Sequence, residues 1–201
     1  RSNFLIFDSS GEYYTAFQNL NQINPNYHYR FLTTNANSVH HGEILRIPLW
    51  LLNIEDMALL LSATTHTQIS IIEKMMKLVR IFSQSDAIAI RYKNHLIASA
   101  IMTIMYSNQG SASKRDEIFS IFNTCSTNEF NLNAVVQGIG YTRKLHECFL
   151  IDSTDQFSER VLLTEYVNKF IDPELNKFEP DKLHYFTLSD LEKALNFTLI
   201  S

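Results

Sequence analysis

Phe4-Leu5-Ile6-Phe7-Asp8-Ser9-Ser10-Gly11-Glu12-Tyr13-Tyr14-Thr15-Ala16-Phe17 is the stretch whose reading decides the fold. Four apolar residues run into Asp8. The run is too short for a buried helix and rich in Phe and Ile, which predicts a fully buried strand. Asp8 then falls at the carboxyl end of that strand, where open α/β sheets place their ligands. Gly11 permits a turn with positive φ, and Glu12 opens a short helix to about Gln18. Asp8 has two readings. Its carboxylate can face a ligand, or it can cap the helix beginning at Glu12, with Glu12 a first-turn acid. The two are compatible.

Outward from this stretch, residues 21–26 with Pro25 read as a turn, and the aromatic, alternating residues 28–33 as a second strand. Residues 34–42 are loop-like. Residues 44–49 stay extended as far as Pro48, because a residue before proline avoids the helical region. From Asn53 the period changes. Asn53 is a candidate N-cap with Glu55 and Asp56 in the first turn, where negative charge suits the helix dipole. Residues 68–82 form the clearest helix, with Ile69, Ile72, Met76 and Val79 at three- and four-residue steps. Ser85-Asp86 opens another helix to about Ser107, with Ile88, Tyr92, Leu96, Ile97, Ile101, Ile104 and Met105 as its buried face. Further helices are expected over residues 114–125, over 132–151 in spite of Gly138 and Gly140, and over 157–171. Asp172-Pro173 and Glu179-Pro180 bracket a loop. Thr187 with Asp190 three residues on makes a cap for a last helix over 188–199.

The chain has 201 residues, 45% hydrophobic and 19% charged, which is enough for a real core and too apolar for disorder. Its net charge of −4 provides no global attraction to nucleic acid, so any such contact needs a local basic patch. Two cysteines, Cys125 and Cys148, are too few for a disulfide framework or a zinc site and fit a reducing cytoplasm. No signal peptide and no apolar run of membrane-spanning length is present. None of the five glycines belongs to a Gly-x-x-x-x-Gly-Lys-Ser/Thr phosphate loop. The chain also opens almost on the first residue of the expected core strand, so the expectation is a fragment whose phosphate loop lies upstream.

The Asp8…Gly11-Glu12-Tyr13 element resembles the second core strand of the HerA/FtsK group of P-loop ATPases, where the HerA branch carries Asp-Pro-His-Gly-Glu-Tyr. Here Ser9-Ser10 replaces the middle pair. Tyr29-Arg30-Phe31-Leu32-Thr33-Thr34 is similar to the next strand of HerA-like proteins. Ile47-Pro48-Leu49-Trp50-Leu51-Leu52-Asn53 with Glu55-Asp56 is similar to the segment leading into their helical insert. Together these cover the first third of the chain. The resemblance implies an α/β, RecA-like P-loop core fragment over residues 1–52 and a mostly helical insert over 53–201, helix-dominated overall. It implies ATP and Mg²⁺ as cofactors, assembly into a hexameric ring, and translocation along double-stranded DNA. HerA-like proteins act beside a nuclease in DNA end processing, and beside a nuclease or an NAD-consuming effector in bacterial anti-phage defence. The alternative is a non-enzymatic helical module for assembling a complex. The motor reading hangs on residues 4–7 being an interior strand; if Phe4–Phe7 lie on the outside or coil into a helix, it collapses and only a bundle of helices is left.

In that resemblance Asp8 and Glu12 are the catalytic candidates, facing the triphosphate and its metal. Cys148-Phe149-Leu150-Ile151-Asp152 is the nearest approach to an acidic Walker B strand, but Ser153 stands in place of the glutamate, and a helix end is the better reading. Lys114 and Arg115 are the nucleic-acid candidates, suited to a channel loop that grips phosphates. Equally, they form a solvated first turn neutralised by Asp116 and Glu117. Arg143-Lys144 is a second basic pair. Arg30, Arg46 and Arg91 are candidates for an arginine finger across a subunit boundary. His40-His41 with Glu43 is set aside as a metal site, because adjacent histidines point apart and no second cluster closes it. His66, His95, His146 and His184 read as structural.

Overall fold

The computed structural model describes residues 4–35, 37, 42–177 and 184–201. The chain divides into two compact units, Arg1–Pro48 and Leu49–Ser201.

In the first unit, helices α1 (Glu12–Phe17) and α2 (Leu20–Ile23) precede two strands of two residues each, β1 (Leu32–Thr33) and β2 (Glu43–Ile44). These pair in parallel, Leu32 opposite Glu43 and Thr33 opposite Ile44. Tyr14 packs on Phe31 at 4.6 Å between ring centres, and the Tyr29 hydroxyl donates to the Gln18 carbonyl. Among the described residues of this unit none is buried. The expected interior strand does not form. Residues 4–7 carry no strand assignment, and Phe4, Leu5, Ile6 and Phe7 are 87%, 79%, 48% and 88% exposed. The reason is lateral. An interior strand needs a ladder on both edges and cover on both faces, and the described residues provide only the β1–β2 pair, which residues 4–7 do not join. The expected second strand over 28–33 shrinks to β1 for the same reason.

The second unit has a core. Its helices are α3 (Ile54–Leu60), α4 (His66–Phe82), α5 (Ala87–Met105), α6 (Ser111–Cys125), α7 (Arg160–Asn168) and α8 (Leu188–Ile200). Their starts follow from local chemistry. Asn53 with Asp56, Thr65 with Gln68, and Thr187 with Asp190 each form a reciprocal capping box. Asp86 accepts from the backbone of Ile88 and Ala89. On α4 the buried residues are Ile72, Met75, Met76, Leu78, Val79 and Ile81. This helix meets α8, which buries Leu191, Ala194, Phe197 and Thr198. Phe82 and Phe197 meet edge to face at 5.5 Å, and the Lys74 ammonium donates to the Ser201 carbonyl at 2.8 Å. Helix α5 is buried on most sides, through Ala89, Tyr92, Ile97, Ala98, Ile101, Ile104 and Met105, whereas Ile88 faces out. Ile118, Ile121 and Phe122 of α6 close the core. Beside them lies an aromatic cluster in which Phe130 stacks on Phe170 at 4.2 Å and meets Phe122 edge-on at 5.0 Å.

The helix expected over 132–151 is a hairpin. Strands β3 (Val135–Gln137) and β4 (Thr142–Lys144) pair antiparallel, and a 3-10 turn, Leu145–Phe149, follows. Gly140 sits at φ +80°, and a side chain at Gly138 would strike the Tyr141 ring. Two glycines in a helix interior cost about 1 kcal/mol each, and here they serve the turn instead. The helix expected over 157–171 shortens to α7, because Phe157 forms a bridge with Ile151. Cys148 lies in the 3-10 turn and Ile151 in that bridge, so the segment ending at Asp152 is neither α-helix nor a sheet strand of any length. Part of the loop expected between Asp172 and Pro180 is a 3-10 turn, Pro173–Lys177, and Glu179-Pro180 lies outside the described residues.

Candidate functional site

Asp8 organises the turn before α1. Its Oδ1 accepts from the backbone N–H of Ser10 at 3.2 Å and of Gly11 at 2.8 Å. Its Oδ2 accepts from the Tyr13 N–H at 2.9 Å. Gly11 takes φ +77°, which lets the chain double back onto the carboxylate. Loss of solvent would raise the Asp8 pKa, but the N–H groups of Tyr13, Gly11, Ser10 and Glu12 outweigh it and hold the carboxyl below its ordinary value. The capping geometry is therefore present. Glu12 follows in the first turn with its side chain open to solvent. The two carboxylates are four residues apart on a turn and the helix it starts, and Asp8 has spent both oxygens on backbone donors.

The nucleotide and metal that the resemblance implies make demands that these residues do not meet alone. A triphosphate needs a cradle of backbone N–H groups and a lysine. The sequence has no such loop, and the N–H groups of Ser10 and Gly11 already point at Asp8. No group of three or more His, Cys, Asp or Glu side chains placed to hold a metal occurs among the described residues.

Helix α6 begins at Ser111, three residues before the expected start, so Lys114 and Arg115 are its fourth and fifth residues. The Lys114 ammonium donates to the Met105 carbonyl at 3.2 Å, satisfying an end carbonyl of α5. The Arg115 Nε lies 3.5 Å from Asp116 Oδ1, a loose pair, and Glu117 accepts from Gln109. Arg143 approaches Glu159 at 3.0 Å, though its buried Nε is not aligned for a hydrogen bond, and it lies over the Tyr141 ring at 5.4 Å. Tyr141 donates to the same carboxylate. Of the three arginine-finger candidates, Arg30 pairs with Glu43 and Arg91 with Asp172, while Arg46 makes no ion pair among the described residues. Arg30, Glu43, Ile44 and Arg46 line a groove of about 620 Å³. His40 and His41 lie outside the described residues.

A family model described as the central domain of the helicase HerA matches residues 1–134. The chain belongs to the HerA central-domain family. No curated protein and no solved structure shows significant similarity to it. The HerA match runs well beyond the first third of the chain, through α3 to α6, and ends beside β3. Family membership thus rests on residues 1–134 as a whole and not on a formed strand at 4–7. The core of this HerA-family chain also draws on residues beyond the match, since α8 covers α4.

Sequence reading missed a polar cluster on α5. Asn94 and His95 are both 3% exposed. Asn94 donates to Glu129 at 3.0 Å and accepts from the Thr127 hydroxyl at 2.6 Å. Two adjacent polar residues inside an apolar helical run were the available signal. Ala87, Ile90, Arg91 and Asn94 form one wall of a groove of about 610 Å³, closed by Glu129 and by Lys169 to Asp172.

The thiols are chemically quiet. Burial pushes the Cys125 pKa up to about 12, against a smaller opposing pull from Lys193 and Lys93, and burial raises Cys148 as well. The thiolate is the nucleophile, so Cys125 in the native protein at pH 8 should react with iodoacetamide about a thousandfold more slowly than in urea. Labelling followed by mass spectrometry checks this, and equal rates would contradict it. The sign of the linked stability effect follows. Between about pH 8.5 and 12 the unfolded chain loses this proton first, so stability falls as pH rises through that window.

Proposed function

We propose that this protein is part of a ring-forming HerA-like ATPase, hexameric in its working state, that couples ATP hydrolysis to translocation along double-stranded DNA. The match to the HerA central domain over residues 1–134 carries this reading. Residues 4–7 supply a strand of the RecA-like core once flanking strands pair with them, and their exposed apolar side chains are what such pairing would bury. The phosphate cradle and Mg²⁺-binding groups come from outside these 201 residues. Asp8 and Glu12 border that nucleotide site, with Asp8 shaping the turn and Glu12 free to order water near the metal. Lys114 and Arg115 contact DNA phosphates from the start of α6. A nuclease or NAD-consuming effector in cytoplasmic anti-phage defence is the setting that fits the family. No helix among the described residues is long and apolar enough to cross a membrane.

A second reading is a non-enzymatic helical module that assembles a complex. The absence of any buried residue among those described in the first unit favours it, because such a unit gains its order from a partner. The discriminating experiment measures ATP hydrolysis with and without double-stranded DNA by the intact protein and by its Asp8→Ala variant, alongside their melting temperatures. The motor reading expects DNA-stimulated hydrolysis that falls at least about tenfold in the variant when both proteins are assayed well below their melting temperatures. No hydrolysis, with Asp8→Ala altering only stability, would establish the assembly module instead.

A further inference from the structure

His95 is the buried group that the functional reading does not use. Both of its ring nitrogens bind the same distant segment. The Asp172 backbone N–H donates to Nδ1 at 3.0 Å, and Nε2 lies 3.0 Å from Asn176 Oδ1. A backbone N–H can only donate, so Nδ1 is the acceptor and the ring proton sits on Nε2, where Asn176 Oδ1 accepts it. One neutral tautomer satisfies both partners. Two further contacts hold the same segment to the helices, and one bond within it orders its turn. Arg91, one turn earlier on α5, pairs with the Asp172 carboxylate. That carboxylate also accepts from the Glu174 N–H at 3.1 Å. Leu175 packs against Ile81 of α4 and Tyr92 of α5 in a small apolar cluster of its own.

The geometry points to a proton-released strap: residues 172–176 are latched to α5 by neutral His95, and protonation of that ring unlatches them. A second ring proton would place an N–H against the Asp172 N–H, donor facing donor, at a buried position. The charged groups around the ring do not rescue it. Arg91 is a cation, and the Asp172 carboxylate is already held by Arg91 and the Glu174 N–H. Across the groove, Glu129 is bonded to Asn94 and Lys169 is a further cation. Tyr92, at 6.1 Å between ring centres, is the remaining titratable neighbour. Unlatching takes Leu175 off Ile81 and Tyr92, exposing a small apolar seat between α4 and α5. The bulk of the core is left in place, because Leu175 belongs to a separate cluster.

Amide hydrogen exchange on the 201-residue chain between pH 7.5 and 5, corrected for intrinsic rates, tests this. The expected result is at least a tenfold loss of protection at Asp172 and Leu175 on acidification, with α4, α5 and α8 unchanged. Ring ¹⁵N signals of His95 should report the Nε2–H tautomer at pH 7.5. His95→Gln should abolish the pH dependence. Asn176 is exposed, so Asn176→Asp should leave the fold intact whether or not the histidine variant folds. Its carboxylate meets Nε2 only while the strap is latched, so it favours the imidazolium in the latched state and should move the release to lower pH or remove it. Protection at residues 172–176 that does not change with pH, loss of protection in all helices together, an Nδ1–H tautomer, or an unmoved release point in Asn176→Asp would each overturn the strap.

Discussion

Replacing Phe130 by alanine should lower the unfolding free energy of the helical unit by about 3–5 kcal/mol, the range for a fully buried phenylalanine. Phe130 has no exposed surface. Its ring stacks on Phe170, and meets Phe122 at 5.0 Å and Tyr166 at 6.0 Å edge-on. Three aromatic neighbours cannot collapse into the gap without leaving their own contacts, so the cavity term is expected to persist. Its backbone N–H is tied to the Thr127 hydroxyl at 3.0 Å, which fixes the site from below. Urea unfolding followed by circular dichroism would show the change as a lower midpoint at similar slope. A loss under about 1 kcal/mol would mean that this aromatic cluster is not part of the cooperative core.

Deleting residues 187–201 should have the largest effect of all. Helix α8 lies outside the HerA match, yet it is the cover for α4. Without it Leu191, Ala194 and Phe197 are lost, Phe82 loses its edge-to-face contact with Phe197, and α4 loses the helix packed on it. At about 1.5–3 kcal/mol for each large side chain, the sum is comparable with the roughly 5–15 kcal/mol that holds a whole domain together. The truncated chain should therefore show no cooperative thermal transition and should bind a dye for exposed apolar surface. A truncated chain melting within about 5 °C of the intact one would show that α4 is held by α5 and α3 alone.

Three helix starts were legible because capping is local, whereas α4, α6 and α7 begin two or three residues from where they were expected. Asn53 and Asp56, Asp86 with Ile88 and Ala89, and Thr187 with Asp190 each close their hydrogen bonds within three residues. So was the Asp8 turn, with its donors at Ser10, Gly11 and Tyr13. The family followed from Asp8, Gly11, Glu12 and Tyr13, since they form one short local device. The hairpin at Val135–Lys144 has its local signal in Gly138 and Gly140, which weaken a helix over 132–151 and serve the turn.

Other features depend on contacts that no short window contains. Whether residues 4–7 form a strand depends on lateral partners, not on their own side chains, and without partners they lie open. His95 reads as one isolated histidine on α5. Its role comes from Asp172 and Asn176, 77 and 81 residues away along the chain, each within 3.0 Å of its ring. Local chemistry sets where this chain turns and coils, because those hydrogen bonds close over a few residues. Which buried polar groups meet, and which apolar ones are covered, is settled only when distant segments share one core.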